Sequence, residues 1–196
     1  MNKNIVFNEA DHSYTIDGQP LKSVTQLLQD YELSPKYYGN AQAAAKRGKY
    51  VHKAIELYLR NNLDEDSLSP PLIPYFRSFK DFWEKQEADT WESEEMVGSL
   101  LWGLAGTIDW YGNLNEEITI IDFKTGKKVY DSAWLQLGLY KHLLEQGSEV
   151  YKYKTKVLHI TPQKTEIVED NDPERTKKVV EAILTLENHK RRKQED

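Results

Sequence analysis

Ile118-Thr119-Ile120-Ile121-Asp122-Phe123-Lys124-Thr125-Gly126 reads as a strand that ends in a glycine turn. Asp122 and Lys124 are two residues apart, so their side chains leave that strand by one face. Upstream, Gly106-Thr107-Ile108-Asp109-Trp110 reads as a second strand, and the turn-rich Tyr111-Gly112-Asn113-Leu114-Asn115 between the two predicts an antiparallel hairpin. Symmetric pairing then sets Asp109 roughly opposite Asp122. Opposed residues on one face have Cβ atoms about 4.5 to 5.5 Å apart, close enough to share a cation.

Two carboxylates and a lysine brought together in this way are the equipment for metal-dependent phosphodiester cleavage. A phosphodiester is an anion that repels hydroxide, so its hydrolysis needs positive charge, a water held in line and a stabilised leaving oxygen. Carboxylate oxygens suit Mg²⁺ or Mn²⁺, and a lysine can stabilise developing charge. The spacing alone is weakly specific, and the surrounding motifs carry the reading.

Gly106-Thr107-Ile108-Asp109, Ile120-Ile121-Asp122-Phe123-Lys124-Thr125-Gly126 and Gln136-Leu137-Gly138-Leu139-Tyr140 resemble the RecB-like branch of the PD-(D/E)XK nuclease superfamily. Arg47-Gly48-Lys49-Tyr50-Val51-His52-Lys53-Ala54-Ile55-Glu56 resembles the histidine motif of that branch, and the four motifs follow in the family's order. The segment from Tyr14 to Leu28 resembles the opening of small phage and organellar exonucleases. The resemblance implies that His52, Asp109 and Asp122 are metal ligands, that the Phe123 carbonyl completes the site, and that Lys124 is the catalytic lysine. Gln136 and Tyr140, four apart on a helix, would project toward the active site or the phosphate backbone. Glu56, one turn beyond His52, would fix the imidazole tautomer. Glu94 and Glu95 precede the hairpin; one of them facing the site is the alternative to solvated charge, which is the reading adopted.

The implied activity is that of a Mg²⁺- or Mn²⁺-dependent deoxyribonuclease, an exonuclease acting on DNA at accessible ends or single strands. A structure-selective endonuclease would share every motif, and a catalytically silent nucleic-acid-binding module would share the fold. The absence of cysteine rules out a cysteine-bound iron-sulfur cluster, which several RecB-like relatives carry. A net charge of −6 argues against indiscriminate coating of nucleic acid and leaves room for a local basic track. Candidates for it are Lys46, Arg47, Lys49, Lys53, Lys127 and Lys128.

The 196 residues suit one domain, and five Trp, twelve Tyr and five Phe offset a modest apolar fraction of 39%. No apolar run is long enough to span a bilayer and no secretory leader pattern opens the chain, so an intracellular, cytoplasmic location without membrane partners is the default expectation. Ile5 to Phe7 and Ser13 to Ile16 predict an N-terminal hairpin, with Asp17-Gly18 opening a second turn. Ser23 caps a helix to Gln29, Ser34-Pro35 begins another helical turn, and Ala41 to Leu59 is a long helix carrying His52. Asn61 to Pro74 reads as an exposed connection. Then follow a helix from Ile73 to Glu87 with an apolar face of Phe76, Phe79, Phe82 and Trp83, strands over Trp91–Leu101, Leu104–Trp110 and Ile118–Lys124, a helix over Ala133–Gln146, a strand over Tyr151–Ile160, and a last helix over Pro173–His189. Lys190-Arg191-Arg192-Lys193, within a basic tail at about 190–196, reads as a frayed end. This order predicts an α/β, restriction-endonuclease-like central mixed sheet flanked by helices.

Overall fold

The computed structural model describes residues 4–9, 13–34, 41–146 and 152–195. The chain opens with β1 (Ile5–Asn8) and β2 (Ser13–Ile16), an antiparallel pair in which Ile5 faces Ile16. Asp17 and Gly18, both at positive φ, turn the chain into β3 (Gln19–Ser23), a strand the sequence reading did not include. Ser23 then caps α1 (Val24–Asp30) in a reciprocal box: its hydroxyl accepts the Gln26 N–H while the Gln26 side chain accepts the Ser23 N–H. The expected helix start at Pro35 lies outside the described residues, as does Tyr151 at the head of an expected strand.

Next come α2 (Ala41–Leu59), with the bounds expected, and α3 (Ile73–Trp83), which stops four residues short of the expected end. Between them the connection holds a single 3₁₀ turn, Glu65–Ser67. The strands β4 (Ala88–Ser99), β5 (Leu104–Leu114) and β6 (Glu117–Lys124) follow, then α4 (Asp131–Glu145), β7 (Lys154–Ile160), β8 (Thr165–Val168) and α5 (Pro173–Glu195). The short β8, paired antiparallel to β7, was also not expected. The basic C-terminal stretch is helical, because Arg191 donates to the carbonyls of Leu101 at 2.7 Å and Leu100 at 3.0 Å, tying α5 to the β4–β5 turn.

All eight strands join one mixed sheet. β4, β5 and β6 are antiparallel neighbours, β6 and β7 are parallel, and β3 runs parallel to the start of β5. Helices cover both faces. Val51 and Ile55 of α2 and Phe76, Phe79 and Trp83 of α3 pack against Trp110, Ile121, Phe123 and Leu158. On the other face α1, α4 and α5 close over Ile108, Ile120 and Val157. A central mixed sheet between helices, with N-terminal strands, is the architecture expected from the sequence. Among the described residues no helix is long and apolar enough to cross a membrane.

The β5–β6 turn is tighter than the expected five-residue loop. Leu114 pairs with Glu117, leaving Asn115 and Glu116 as its two central residues at φ 50° and 68°. Both values belong to the type I′ turn that matches strand twist. The Asn115 side chain accepts the Glu87 N–H and donates to Gln86, so the turn is also fastened to the α3–β4 connection. Glu116 has no such compensation for its left-handed backbone among the bonds described. Replacing Glu116 by Gly should therefore stabilise the protein by about 0.5–1 kcal/mol, seen as a higher urea midpoint at unchanged m-value.

Candidate active site

β5 carries β4 along one edge and shares the other between two strands. β3 pairs with Leu104 and Ala105, and β6 pairs from Trp110 onward. Gly106 to Asp109 lie between these pairings with no strand against them on that edge. Continuing the β5–β6 register by one residue from Trp110↔Ile121 sets Asp109 opposite Asp122, as the symmetric hairpin predicts. The ladder opens at this point, and the Asp109 carboxylate takes over by accepting the Phe123 N–H at 2.6 Å. Phe123 itself is buried, edge-on to His52 and Phe79. The N–H and C=O of a strand residue leave by the same edge, so the Phe123 carbonyl also faces the Asp109 side.

The opposite edge of β5 contributes a residue that sequence reasoning assigned to solvent. Ser93 pairs with Trp110 and Glu95 with Ile108, so Glu94 falls level with Asp109. Its backbone is left-handed, at φ 54°, in the middle of a strand. β5 is irregular at the same level: Ile108 packs toward α4, whereas Trp110 packs toward α2 and α3. Glu94, Asp109 and His52 offer ligand atoms that all lie within 4.8 Å of one another. His52 Nδ1 is 3.4 Å from Asp109 Oδ1. Counting back along β4 from the Leu101-Trp102 turn would have placed Glu94 beside Asp109; its run of neighbouring acidic residues hid that signal.

Burial of so many anions shifts their protonation. Burial, reinforced by Asp109 and opposed by His52, pushes Glu94 up to about 7. Burial likewise pushes Asp122 up to about 6 against the pull of Lys124. Burial would raise Asp109 too, but His52, Lys124 and the Phe123 N–H hold it below the usual carboxylate range. For His52, burial favours the neutral ring and the Asp109 carboxylate outweighs it, leaving the imidazole above its ordinary value. The Lys124 ammonium donates to Asp122 Oδ1 at 2.9 Å and pairs with Oδ2 at 2.7 Å, and among the described residues the buried Oδ2 accepts no hydrogen bond. A buried carboxylate that accepts no hydrogen bond at Oδ2, beside a His-Glu-Asp cluster of hard donors, fits a divalent cation.

On the α4 side the expected residues form one chain of contacts. Lys124 Nζ donates to Gln136 Oε1 at 3.2 Å, and Gln136 Nε2 donates to the Tyr140 hydroxyl at 3.0 Å. Tyr140 is buried, and that burial holds its phenol well above the ordinary value. Its ring lies directly on Gly106, where an added Cβ would come within 2.5 Å of Cε1. Glycine at 106 is thus what lets Tyr140 lie across β5. Next to it, Thr107 is hydrogen-bonded to the Tyr14 hydroxyl at 3.0 Å, which joins the N-terminal strands to the site.

Other expected positions fall elsewhere. Glu56 does not reach His52; Lys53 and Arg60, each at 2.7 Å, hold its carboxylate. Lys53 lies three residues before Glu56 on α2 and Arg60 four residues after it, just past the helix end, and these two cations take the carboxylate. Lys49 pairs with Glu9 at 3.5 Å, Lys46 lies over the Tyr50 ring and Lys128 over the Tyr130 ring. Lys127 is exposed on the loop after β6, and Arg47 stacks on Tyr75.

Residues 74–195 match the family model described as PD-(D/E)XK nuclease superfamily, a span that includes Glu94, Asp109, Asp122, Lys124, Gln136 and Tyr140 and leaves out His52. Against the curated proteins there is no match. Among solved structures, the crystal structure of SSO0001 is 15% identical, with 83% of this chain and 84% of that one covered, at a TM-score of 0.30.

Glu94 gives a direct check on the electrostatics. Its carboxyl, at about 7 in the folded protein against 4.5 ordinarily, favours the fold when protonated, and that contribution is lost as pH rises through 7. Without metal, Glu94→Gln should therefore be more stable than the parent at pH 8 by on the order of 1–2 kcal/mol. The gap should close toward pH 5. Urea denaturation in chelator measures it, and a variant no more stable at pH 8 would show that the carboxylate is not strained there.

Proposed function

The chain belongs to the PD-(D/E)XK nuclease superfamily, whose chemistry is metal-dependent nucleic-acid cleavage, and on that premise we propose that it is a single-domain DNA exonuclease of the RecB-like branch, akin to small phage and organellar enzymes, acting at ends or single-stranded regions. The observation that carries this reading is the meeting of the His52-Glu94-Asp109 cluster with the Asp122-Lys124-Gln136-Tyr140 chain at the open end of the β5–β6 hairpin.

His52, Asp109 and Asp122, with the Phe123 carbonyl, hold one or two Mg²⁺ or Mn²⁺ ions in this proposal, and Glu94 joins them. Bound there, a divalent cation lowers the pKa of water and neutralises the phosphate. The chain's own residues do the rest. Asp109, anchored by the Phe123 N–H, presents Oδ1 in a fixed direction. The Lys124 ammonium, held by Asp122 and Gln136 at the site, stabilises charge on the attacking or leaving oxygen. Gln136 holds that ammonium, and Tyr140 holds Gln136, so both act on alignment. Because Glu94 and Asp122 rest at about 7 and 6, metal loading releases protons, and metal affinity should rise with pH through that window.

End-labelled linear, circular, single-stranded and duplex DNA, incubated with Mg²⁺, Mn²⁺ or chelator, test the proposal. Loss of linear but not circular substrate is the expected result; cleavage of both would point to an endonuclease, and binding without products to a silent module. Asp109→Ala and Asp122→Ala should each remove most cleavage while the protein stays folded, and near-normal rates in folded Asp122→Ala at limiting metal would defeat the ligand assignment. His52→Ala should weaken metal binding, with partial rescue by Mn²⁺, which accepts nitrogen more readily.

Lys124 and the Tyr140 pair have different signatures. Lys124→Ala should lower the single-turnover rate by about 10²-fold or more, with DNA affinity much less affected. Tyr140→Ala and Gly106→Ala should resemble each other, since both take the ring off β5, and should impair alignment while metal titrations stay near normal. A Gly106→Ala protein with parental rates would break the link between that glycine and Tyr140.

A further inference from the structure

Arg47 lies on α2 five residues before His52, a separation of about 7.5 Å along the helix. Its neighbour Gly48 packs on the residue after the catalytic lysine: a Cβ at Gly48 would come within 3.1 Å of Thr125 Oγ1. Arg47 is therefore carried to the level where β6 ends, past Lys124. β6 and β7 are parallel there, and the carboxyl ends of parallel strands are where α/β sheets receive ligands. The guanidinium carbon sits 5.1 Å from the centre of the Tyr75 ring on α3, and Nε is buried with no hydrogen-bond partner among the described residues.

What sets this arginine apart is a buried, unpaired Nε in an acidic chain. The chain has 32 acidic residues against 26 Lys and Arg. Lys49, Lys53, Arg60 and Lys124 each have a carboxylate, whereas the exposed Lys46 lies over the Tyr50 ring. Arg47 has no carboxylate partner among the described residues. The Tyr75 ring lies under the guanidinium by a cation–π contact, and the guanidinium presents its remaining N–H groups as a planar fork suited to phosphate. Leaving a buried N–H unpaired is unfavourable in the free protein and is offset once an anion binds the group.

We propose that Arg47, held against Tyr75 and carried to the end of β6 by the packing of Gly48 on Thr125, binds the backbone phosphate of the nucleic-acid strand one step along from the cleaved phosphodiester. This rests on the nuclease reading and deepens it. Arg47 is a positioning residue: it fixes the register of the strand so that the next phosphate falls on Lys124 and the carboxylates. A strand held through its phosphates here is read without regard to base.

The test uses the full chain and a labelled single-stranded oligonucleotide. Affinities are measured in chelator over a range of salt, and single-turnover rates with Mg²⁺. Arg47→Gln should weaken binding about tenfold and reduce the slope of log affinity against log salt by about 0.7, the value for one phosphate contact on a single strand. The metal titration should stay parental. Arg47→Lys should keep the slope and lose part of the affinity, and it carries the test if Arg47→Gln proves poorly folded. A single neutral methylphosphonate linkage, moved along the strand, should weaken parental binding most at one position next to the cleaved bond, and that sensitivity should vanish in Arg47→Gln. Equal affinity, slope and methylphosphonate pattern in both variants, with a parent that binds and cleaves, would overturn the role of Arg47 alone. A parent that neither binds nor cleaves would overturn the nuclease reading and this inference together.

Discussion

The register of β5 against β6, set by the two-residue turn at Asn115-Glu116, decides which side chains meet at the open end of the hairpin. A slip of one residue would send every side chain of one strand to the opposite face. Asp109 would then lose Asp122 as its neighbour, and Lys124 would turn from Gln136 toward the aromatic layer under α2 and α3. Asn115 guards against that slip by bonding both Gln86 and Glu87 while it turns the chain. The hairpin can open beyond Trp110 because Asp109 itself takes the Phe123 N–H that the ladder gives up.

Placing Glu94, Asp109 and Asp122 together has an electrostatic cost that the surrounding core must offset. Phe79, Trp83, Trp110 and Phe123 stack in a continuous aromatic layer behind the site. Their burial provides hydrophobic stabilisation, and the layer also backs His52 through Phe123. The strain remains visible in the raised carboxyls of Glu94 and Asp122 and in the left-handed backbone of Glu94. Strain of this kind is tolerated where it serves a ligand.

The parts of the site legible in the sequence were those fixed by local rules. Strand alternation put Asp122 and Lys124 on one face, hairpin symmetry put Asp109 across from Asp122, and helical spacing put Gln136 and Tyr140 on one side of α4. The capping box at Ser23 and the span of α2 followed from equally local chemistry. Glu94 was less legible, because its place beside Asp109 depends on the β4–β5 pairing and its acidic neighbours did not single it out. Glu56 looked like a partner of His52 by spacing alone, yet Lys53 on its own helix and Arg60 just past the helix end claim it. The C-terminal basic run reads as solvent-facing until the β4–β5 turn appears beneath Arg191.

By itself, the sequence determined the strands and helices long enough to show a period, the opposition of Asp109 and Asp122, the exclusion of cysteine-bound metal clusters, and the set of residue types suited to a hard cation and a phosphate. Each depends on neighbours close in the chain or on composition, where few conformations compete. Only the tertiary structure decided that β3 and β6 share one edge of β5 and leave Gly106 to Asp109 open, that Tyr140 fills this gap over a glycine, that Glu94 joins His52 and Asp109, and that Arg47 lies against Tyr75 with no carboxylate partner among the described residues. These depend on which distant surfaces come into contact and on where a strand departs from its regular twist, and no spacing within a single segment encodes either.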